Sequence, residues 1–98
     1  MNVQISSDAE RDIIQGIEFY SNNGVEVGDY FRDSLMSDLR ALEIIGGVHA
    51  KRFGYHCMAA KRFPFAIYYT IHDSTVMVVA ILDERRNPQW VANRLKRG

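Results

Sequence analysis

The chain has 98 residues, of which 47% are hydrophobic and 24% are charged, the ordinary balance of a small folded protein. We expect a single domain over residues 1–98, because this length leaves no room for a second core. Its one cysteine excludes an internal disulfide and is typical of a reducing compartment. No apolar run approaches the roughly 20 residues that span a bilayer, and no signal peptide is visible, so we expect a cytoplasmic protein with no membrane partner.

The formal net charge is zero, but the charges are divided unevenly along the chain. Residues 1–45 carry nine acids and three bases, whereas residues 46–98 carry nine bases and three acids. A basic half favours an anionic partner, either a nucleic acid or an acidic protein segment. The alternative is that the two halves face each other and neutralise internally.

The first predicted elements are a short strand and a helix. Residues 3–5 alternate between apolar and polar side chains, as in a strand. Ser7 precedes Glu10 by three residues, a spacing that predicts a helix N-terminus. The sequence "SNNG", residues 21–24, predicts the end of this helix.

A second helix is predicted from the apolar side chains that recur from Phe31 to Leu42 at spacings of three and four. Gly46 and Gly47 predict its end. Two amphipathic helices joined by a short polar turn are typical of an antiparallel helical hairpin. Such a hairpin cannot bury its own apolar stripe, so we expect it to pack on a sheet.

Three strands are predicted next, over residues 55–63, 65–71 and 75–82. The sequence "HDS", residues 72–74, predicts a tight turn between the last two strands. The final strand is apolar on both faces, which indicates that both of its faces are buried.

A last helix is predicted over residues 88–96, with Asn87 as its N-cap and Pro88 at its first position. The predicted order is therefore β-α-α-β-β-β-α. This order predicts an α+β fold in which an N-terminal short strand and an α-helical hairpin pack on an antiparallel sheet.

The aromatic side chains of the middle strands allow two interpretations. They are of the type that stacks on bases in RNA-binding sheets, or half of them form the core under the helices. Phe65, Ile67 and Tyr69 share one face of the strand and are one candidate core set. The residues between them are the other candidate set, and the pattern leaves the choice open.

Catalytic and metal-binding patterns are weak in this sequence. The three histidines, His49, His56 and His72, and Cys57 do not have the paired spacing of a zinc site, and no glycine-rich phosphate loop is present. The carboxylates at Asp83 and Glu84 are followed by two arginines, so we expect ion pairing rather than acid catalysis. We therefore expect no metal, no cofactor and no catalytic residue.

Basic clusters carry the strongest functional signal. Arg85 and Arg86 follow the last strand, and Pro88 and Trp90 fix the turn that holds them. Arginine forks bind phosphate or carboxylate groups bidentately, which suits an acidic partner. A second cluster, Lys61 and Arg62, has the alternative role of a charged guard against edge-to-edge aggregation.

The segment "KRFPFAIYYTIHDSTVMVVAILDERRNPQWVANRL", residues 61–95, resembles the C-terminal half of the RelE/ParE toxin superfamily. Members typically have an Arg-Phe-Pro-Tyr/Phe strand, an Ile-Tyr-Tyr strand, a Val/Leu-rich strand and then Arg-Arg-Asp/Asn-Pro. The preceding strand and helical hairpin match in order as well. The resemblance implies the RelE/ParE fold and the toxin component of a type II toxin–antitoxin pair, held inactive by a protein antitoxin.

The resemblance also distinguishes two branches, the RelE-like messenger RNA endonucleases of the ribosome and the ParE-like inhibitors of DNA gyrase. The RelE-like branch needs an arginine in the middle strand and basic residues in the strand before it, to stabilise the phosphate charge of the transition state. Here Ala66 occupies the first position, and Cys57 and Ala59 occupy the others. Asp83 replaces the histidine of many members, and the string "RRNP" is the ParE-like form.

The resemblance therefore implies a ParE-like plasmid stabilisation toxin that causes growth arrest by binding gyrase. The implied partners are gyrase and a cognate antitoxin; the alternatives are a RelE-like nuclease acting on the ribosome and messenger RNA, and an inactive chain that only binds its antitoxin. The predicted contact residues are Arg62, Arg85, Arg86, Asn87, Pro88, Trp90 and Arg94.

Overall fold

The computed structural model describes residues 1–97, and within them a five-stranded sheet carries helices on both faces. In chain order the elements are β1 (Asn2–Ile5), α1 (Ser7–Ser21), α2 (Val25–Ile45), β2 (Lys51–Arg52), β3 (Tyr55–Ala59), β4 (Phe65–His72), β5 (Thr75–Asp83) and α3 (Pro88–Arg97). Apart from the two-residue β2, this is the predicted order, and it confirms the α+β fold. In the part of the chain that the structure describes, no helix is both long and apolar enough to cross a membrane.

The strand order in the sheet is β1-β5-β4-β3-β2. The pairs β3–β4 and β4–β5 are antiparallel, as predicted, and the unpredicted β2 pairs antiparallel with β3. The first strand differs, because β1 runs parallel to β5 with Asn2 opposite Thr75 and Ile5 opposite Val78. The sheet is therefore mixed, and its one parallel pair joins the two strands that are farthest apart in sequence.

The helix boundaries follow from local hydrogen bonds. Ser6, rather than the predicted Ser7, is the N-cap of α1, since its side-chain oxygen accepts a hydrogen bond from the backbone N–H of Ala9 at 3.1 Å. The predicted ends of both helices are confirmed: α1 stops at Ser21, and α2 stops before Gly46, whose N–H donates to the Leu42 carbonyl at 3.0 Å.

Two strand boundaries differ from the prediction. The strand predicted over residues 55–63 ends at Ala59, because the N–H of Ala60 donates to the Phe65 carbonyl at 2.8 Å and turns the chain. His72 is the last residue of β4 rather than part of the turn. The turn itself is Asp73 and Ser74, both with positive φ, as a two-residue hairpin turn requires.

The two faces of the sheet bury different side chains. Phe65, Ile67 and Tyr69 lie under the helical hairpin of α1 and α2, which selects one of the two candidate core sets for this face. Tyr68 points to the opposite face, where it packs with residues of α3. Both alternate sets of β4 are buried, so the sheet is covered on both sides.

Candidate functional site

The turn after β5 is built around the carboxylate of Asp83. This carboxylate accepts hydrogen bonds from the backbone N–H of Arg85 at 2.9 Å and from its guanidinium at 2.6 and 2.9 Å. The bonds to Arg85 hold the pKa of Asp83 below its usual range, as expected for an ionised pair. Arg85 is thereby occupied at the base of the turn, although its side chain remains 61% exposed.

Arg86 has a different environment from its neighbour. Its guanidinium lies over the indole of Trp90, 4.4 Å from the ring centroid, and no carboxylate in the described residues forms an ion pair with it. The indole is 39% exposed. A cation stacked on an exposed aromatic ring keeps its N–H donors available to a partner.

The start of α3 places this pair. Asn87 is the N-cap, with its side-chain oxygen accepting from the N–H of Gln89 at 2.7 Å, and Pro88 is the first helical residue. Trp90 follows on the first turn of the helix. The cap and the proline therefore fix the position of Trp90 relative to Arg86.

An open groove of about 240 Å³ runs beside the Arg86–Trp90 pair. Its other walls include Gln15, Gly16 and Phe19 of α1. Phe19 is 58% exposed, and the sequence reasoning missed it because only the apolar stripe of α1 was considered. The sequence did contain a signal for it, because Phe19 is an aromatic residue that lies off that apolar stripe. An exposed aromatic side chain next to a groove favours an interaction surface.

Arg94 lies next to this surface but is mostly buried. Its guanidinium donates to the Asp12 carboxylate at 2.7 and 2.9 Å, and the two side chains are 10% and 6% exposed. The same carboxylate accepts the backbone N–H of Ile81 at 3.0 Å, on the part of β5 that extends beyond β1. The ion pair gives Arg94 a structural role, because it joins α3 to α1, while the contact role predicted for it stays a prediction.

Arg62 lies at the same end of the sheet but not in the groove. It is exposed in the loop between β3 and β4. The Pro64 carbonyl of that loop accepts a hydrogen bond from the Glu84 N–H at 2.9 Å, so the loop and the β5 turn are tied together. Of the seven predicted contact residues, four therefore form one unit, Arg86, Asn87, Pro88 and Trp90, while Arg62 and Arg85 border it.

Direct contacts between the acidic and basic halves are few in the part of the chain that the structure describes. In residues 1–97 the Asp12–Arg94 pair is the one ion pair that connects the two halves. The other pairs join residues at most three positions apart. The basic half thus keeps most of its cations available at the surface.

The positions where RelE-like members have catalytic basic residues carry uncharged side chains here. Ala66 is 1% exposed in the core under α3, and Ala59 lies opposite it on β3. Burial raises the pKa of the Cys57 thiol, and burial raises the pKa of the neighbouring Tyr68 to about 12. These groups offer no cation to a phosphate and no group that gives up a proton near neutral pH.

The histidines have structural partners. The Nδ1 atom of His49 lies 2.5 Å from the hydroxyl of Tyr69, which also accepts the N–H of Gly47 at 2.9 Å. Burial holds the pKa of His49 below its usual value, which favours the neutral ring, and a neutral ring can accept the Tyr69 hydroxyl proton at Nδ1. His56 donates from Nδ1 to the His49 carbonyl at 2.7 Å and stacks on Tyr69.

Comparison with known proteins gives one informative result. No protein-family model and no curated protein matches the sequence. Among solved structures, the chain is similar to a chain of "Chromosomal ParDE TA system from P. aeruginosa", with a TM-score of 0.74 and 16% sequence identity. The match covers 83% of this chain and 92% of the other. The likeness confirms the expected ParE-like fold.

Proposed function

We propose that this chain is the toxin of a type II toxin–antitoxin pair, that it is ParE-like, and that it arrests growth by binding DNA gyrase. A cognate antitoxin neutralises it in this proposal. Gyrase works in the cytoplasm, so the proposed target also places the protein there. The fold shared with a chain of a ParDE system supports the general assignment.

The observation that carries the proposal is the Arg86–Trp90 pair beside the groove that contains Phe19. Tryptophan and arginine are the side chains that most often dominate the binding energy of protein interfaces. Here both are held by a capped helix start, so little conformational entropy is lost on binding. The site offers a rigid aromatic surface with a cation on it, which suits an acidic protein surface.

The apolar character of the nuclease-like positions supports the same choice. A phosphorane carries its developing charge on oxygens that need cationic or N–H donors nearby. Ala66 and Ala59 supply neither, and the core under α3 fills the space around Ala66. The chemistry of these positions favours binding over RNA cleavage.

The helical hairpin supports an antitoxin partner. It exposes five large apolar side chains by more than half of their surface: Ile14, Phe19, Val25, Tyr30 and Ile44. An antitoxin segment that folds on binding gains its affinity by covering apolar surface of this kind. The surface of α1 and α2 is therefore where we place the neutralising segment.

The test compares Arg86→Glu with Arg40→Glu, an identical charge change at an exposed position of α2. Both variants are induced in cells, and the purified proteins are titrated against gyrase for trapped, cleaved DNA complexes. We expect half-maximal trapping to require at least about tenfold more Arg86→Glu protein than original protein, because the new carboxylate is repelled by an acidic partner surface. Arg40→Glu should behave as the original chain, with both variants unfolding at similar temperatures.

Other outcomes would replace the proposal. Cleaved messenger RNA on stalled ribosomes would assign the chain to the nuclease branch. Absence of both activities, together with a tight antitoxin complex, would identify a chain that only binds its antitoxin. Full toxicity of Arg86→Glu would remove the site from the mechanism.

A further inference from the structure

A second surface lies on the other side of α3, where the β2–β3 hairpin meets the end of the helix. The hydroxyl of Tyr55 donates to the Leu95 carbonyl at 3.3 Å and holds the hairpin against α3. Between them is an open pocket lined by Phe53, Tyr55, Ala92, Leu95 and Lys96. It shares no residue with the groove beside Arg86.

The hairpin tip contains an unusual backbone conformation. Phe53 has a φ of 56° and Gly54 a φ of 85°, the left-handed pair that a two-residue hairpin turn needs. Asparagine or glycine is the usual first residue, because a bulky side chain is strained in this region. The chain nevertheless has phenylalanine there, 39% exposed and at the edge of the pocket. Strain at an exposed aromatic position is typical of a functional site.

Two cations border this pocket, and the segments that build it contain no acid. Residues 44–72 and 85–97 contain no aspartate and no glutamate. Arg52 is exposed on β2 opposite Tyr55, and Lys96 lines the pocket. The guanidinium of Arg52 lies over the Phe53 ring, 5.0 Å from its centroid. The pocket therefore combines an apolar interior with a cationic border.

We propose that this pocket binds an acidic peptide segment of a partner protein, which inserts one apolar side chain and pairs flanking carboxylates with Arg52 and Lys96. Charge complementarity selects an anionic partner. The interior selects a peptide over a nucleic acid. Among the five lining side chains the Tyr55 hydroxyl is already bonded, so Lys96 alone offers a donor. A nucleobase would lose water from several polar edge atoms there, whereas an apolar side chain loses none.

The proposal is independent of gyrase, because the pocket is separate from the Arg86–Trp90 site. Failure of the gyrase test leaves this pocket unaffected, and failure of the peptide test leaves the Arg86 site unaffected. The two experiments therefore fail separately.

The first experiment measures fluorescence anisotropy of a labelled heptapeptide, one leucine flanked by three glutamates on each side, added to the full chain at low salt. Replacing the leucine by alanine should weaken binding about tenfold, since most of the apolar contact is lost. Arg52→Glu should weaken binding at least about fivefold, whereas the matched charge change Arg40→Glu should leave it unchanged. Binding should also weaken when salt rises from about 50 to 200 mM.

The second experiment uses Phe53→Asn, which places the preferred residue at the strained turn. We expect an equal or higher unfolding temperature, because asparagine accepts a left-handed backbone, together with loss of peptide binding. A phenylalanine that served only the fold would give a lower unfolding temperature instead, and that result would contradict the proposal.

Three further results would overturn the proposal. The first is no binding of the peptide at millimolar protein. The second is equal binding of the leucine and alanine peptides. The third is tighter, Arg52-dependent binding of a single-stranded oligothymidine, which would make the surface a nucleic-acid site.

Discussion

The two faces of the sheet are stabilised in different ways. The hairpin face buries thirteen side chains in one cluster, with Phe31 and Tyr69 at its centre. The α3 face buries six, and α3 itself contributes only Val91 and Leu95. What α3 lacks in apolar contact is supplied by polar bonds, chiefly those from Arg94 to Asp12.

The two faces therefore contribute differently to the stability of the fold and to the candidate binding sites beside α3. The hairpin face holds the fold through apolar burial, which does not depend on single bonds. The α3 face buries fewer side chains, and the groove beside Arg86 and the pocket beside Phe53 border the start and the end of α3. Substitutions on the two faces should therefore produce different kinds of loss.

The largest effect is expected from Phe31→Ala on the hairpin face. The ring is 1% exposed and packs against Tyr20, Phe63 and Phe65, with centroids 5.0 to 5.1 Å apart. Its removal should cost about 4 kcal/mol of unfolding free energy, a large part of the total for a small domain. Urea unfolding measures this cost. Phe19→Ala, at a ring 58% exposed, should cost less than about 1 kcal/mol, and an equal loss in both variants would contradict the comparison.

Asp12→Ala should have the next largest effect, and it acts on the α3 side. It leaves the guanidinium of Arg94 buried without a partner and removes the acceptor of the Ile81 N–H. We expect a loss of about 3 kcal/mol. Asp12→Asn keeps an acceptor for one of these donors and should cost less.

Hydrogen exchange shows whether Asp12→Ala and Asp12→Asn destabilise the structure locally or globally. Amides of α3 should lose protection before those of α2, because only α3 depends on the ion pair. Uniform loss of protection would show that the two faces unfold as one unit.

A smaller effect is expected from pH at the edge of the hairpin face. Burial, and then the charge of His56, hold the pKa of His49 below its usual 6.5, so the folded state favours the neutral ring. The stabilisation is complete above pH 6.5 and is lost as pH falls through the lowered pKa. His49→Asn keeps an acceptor for the Tyr69 hydroxyl but does not titrate, so it should flatten this part of a stability–pH profile. An unchanged slope would assign the pH dependence to another group.

The smallest effect is expected at the Asp83–Arg85 pair. The pKa of Asp83 is held below its usual 3.8, so its contribution is present above pH 3.8 and is lost as pH falls further. Because Arg85 is largely exposed, Asp83→Asn should cost less than about 1 kcal/mol at pH 7. Both Asp83→Asn and Arg85→Gln should flatten the stability–pH profile below pH 4. Urea unfolding midpoints at pH 7, 4 and 3 test this.

Much of the fold could be predicted because its signals are local. The "SNNG" turn, the glycines after α2 and the Asn87–Pro88 helix start each determine structure through neighbouring residues. The end of β3 was not predicted, since the hydrogen bond between Ala60 and Phe65 leaves no trace in the apolar pattern. The parallel partner of β1 was not predicted either, because alternation shows that a strand exists but not its neighbour.

The candidate site was predicted in part for the same reason. Arg86, Asn87, Pro88 and Trp90 are consecutive or nearly so, and their arrangement follows from a helix start. The role of Arg94 depends on Asp12, which lies 82 positions away. The residues around Arg94 identify a cation on α3 but do not show that its ion-pair partner is Asp12.

The placement of β1 also has a consequence for biosynthesis. Asn2–Ile5 pairs with Thr75–Val78, so β1 has no strand to join until the chain has been synthesised as far as β5. Contacts of such long separation form slowly, after the local β4–β5 hairpin. A nascent chain therefore completes its sheet only after β5 has left the ribosome, which gives a co-expressed partner a period in which to bind an unfinished molecule.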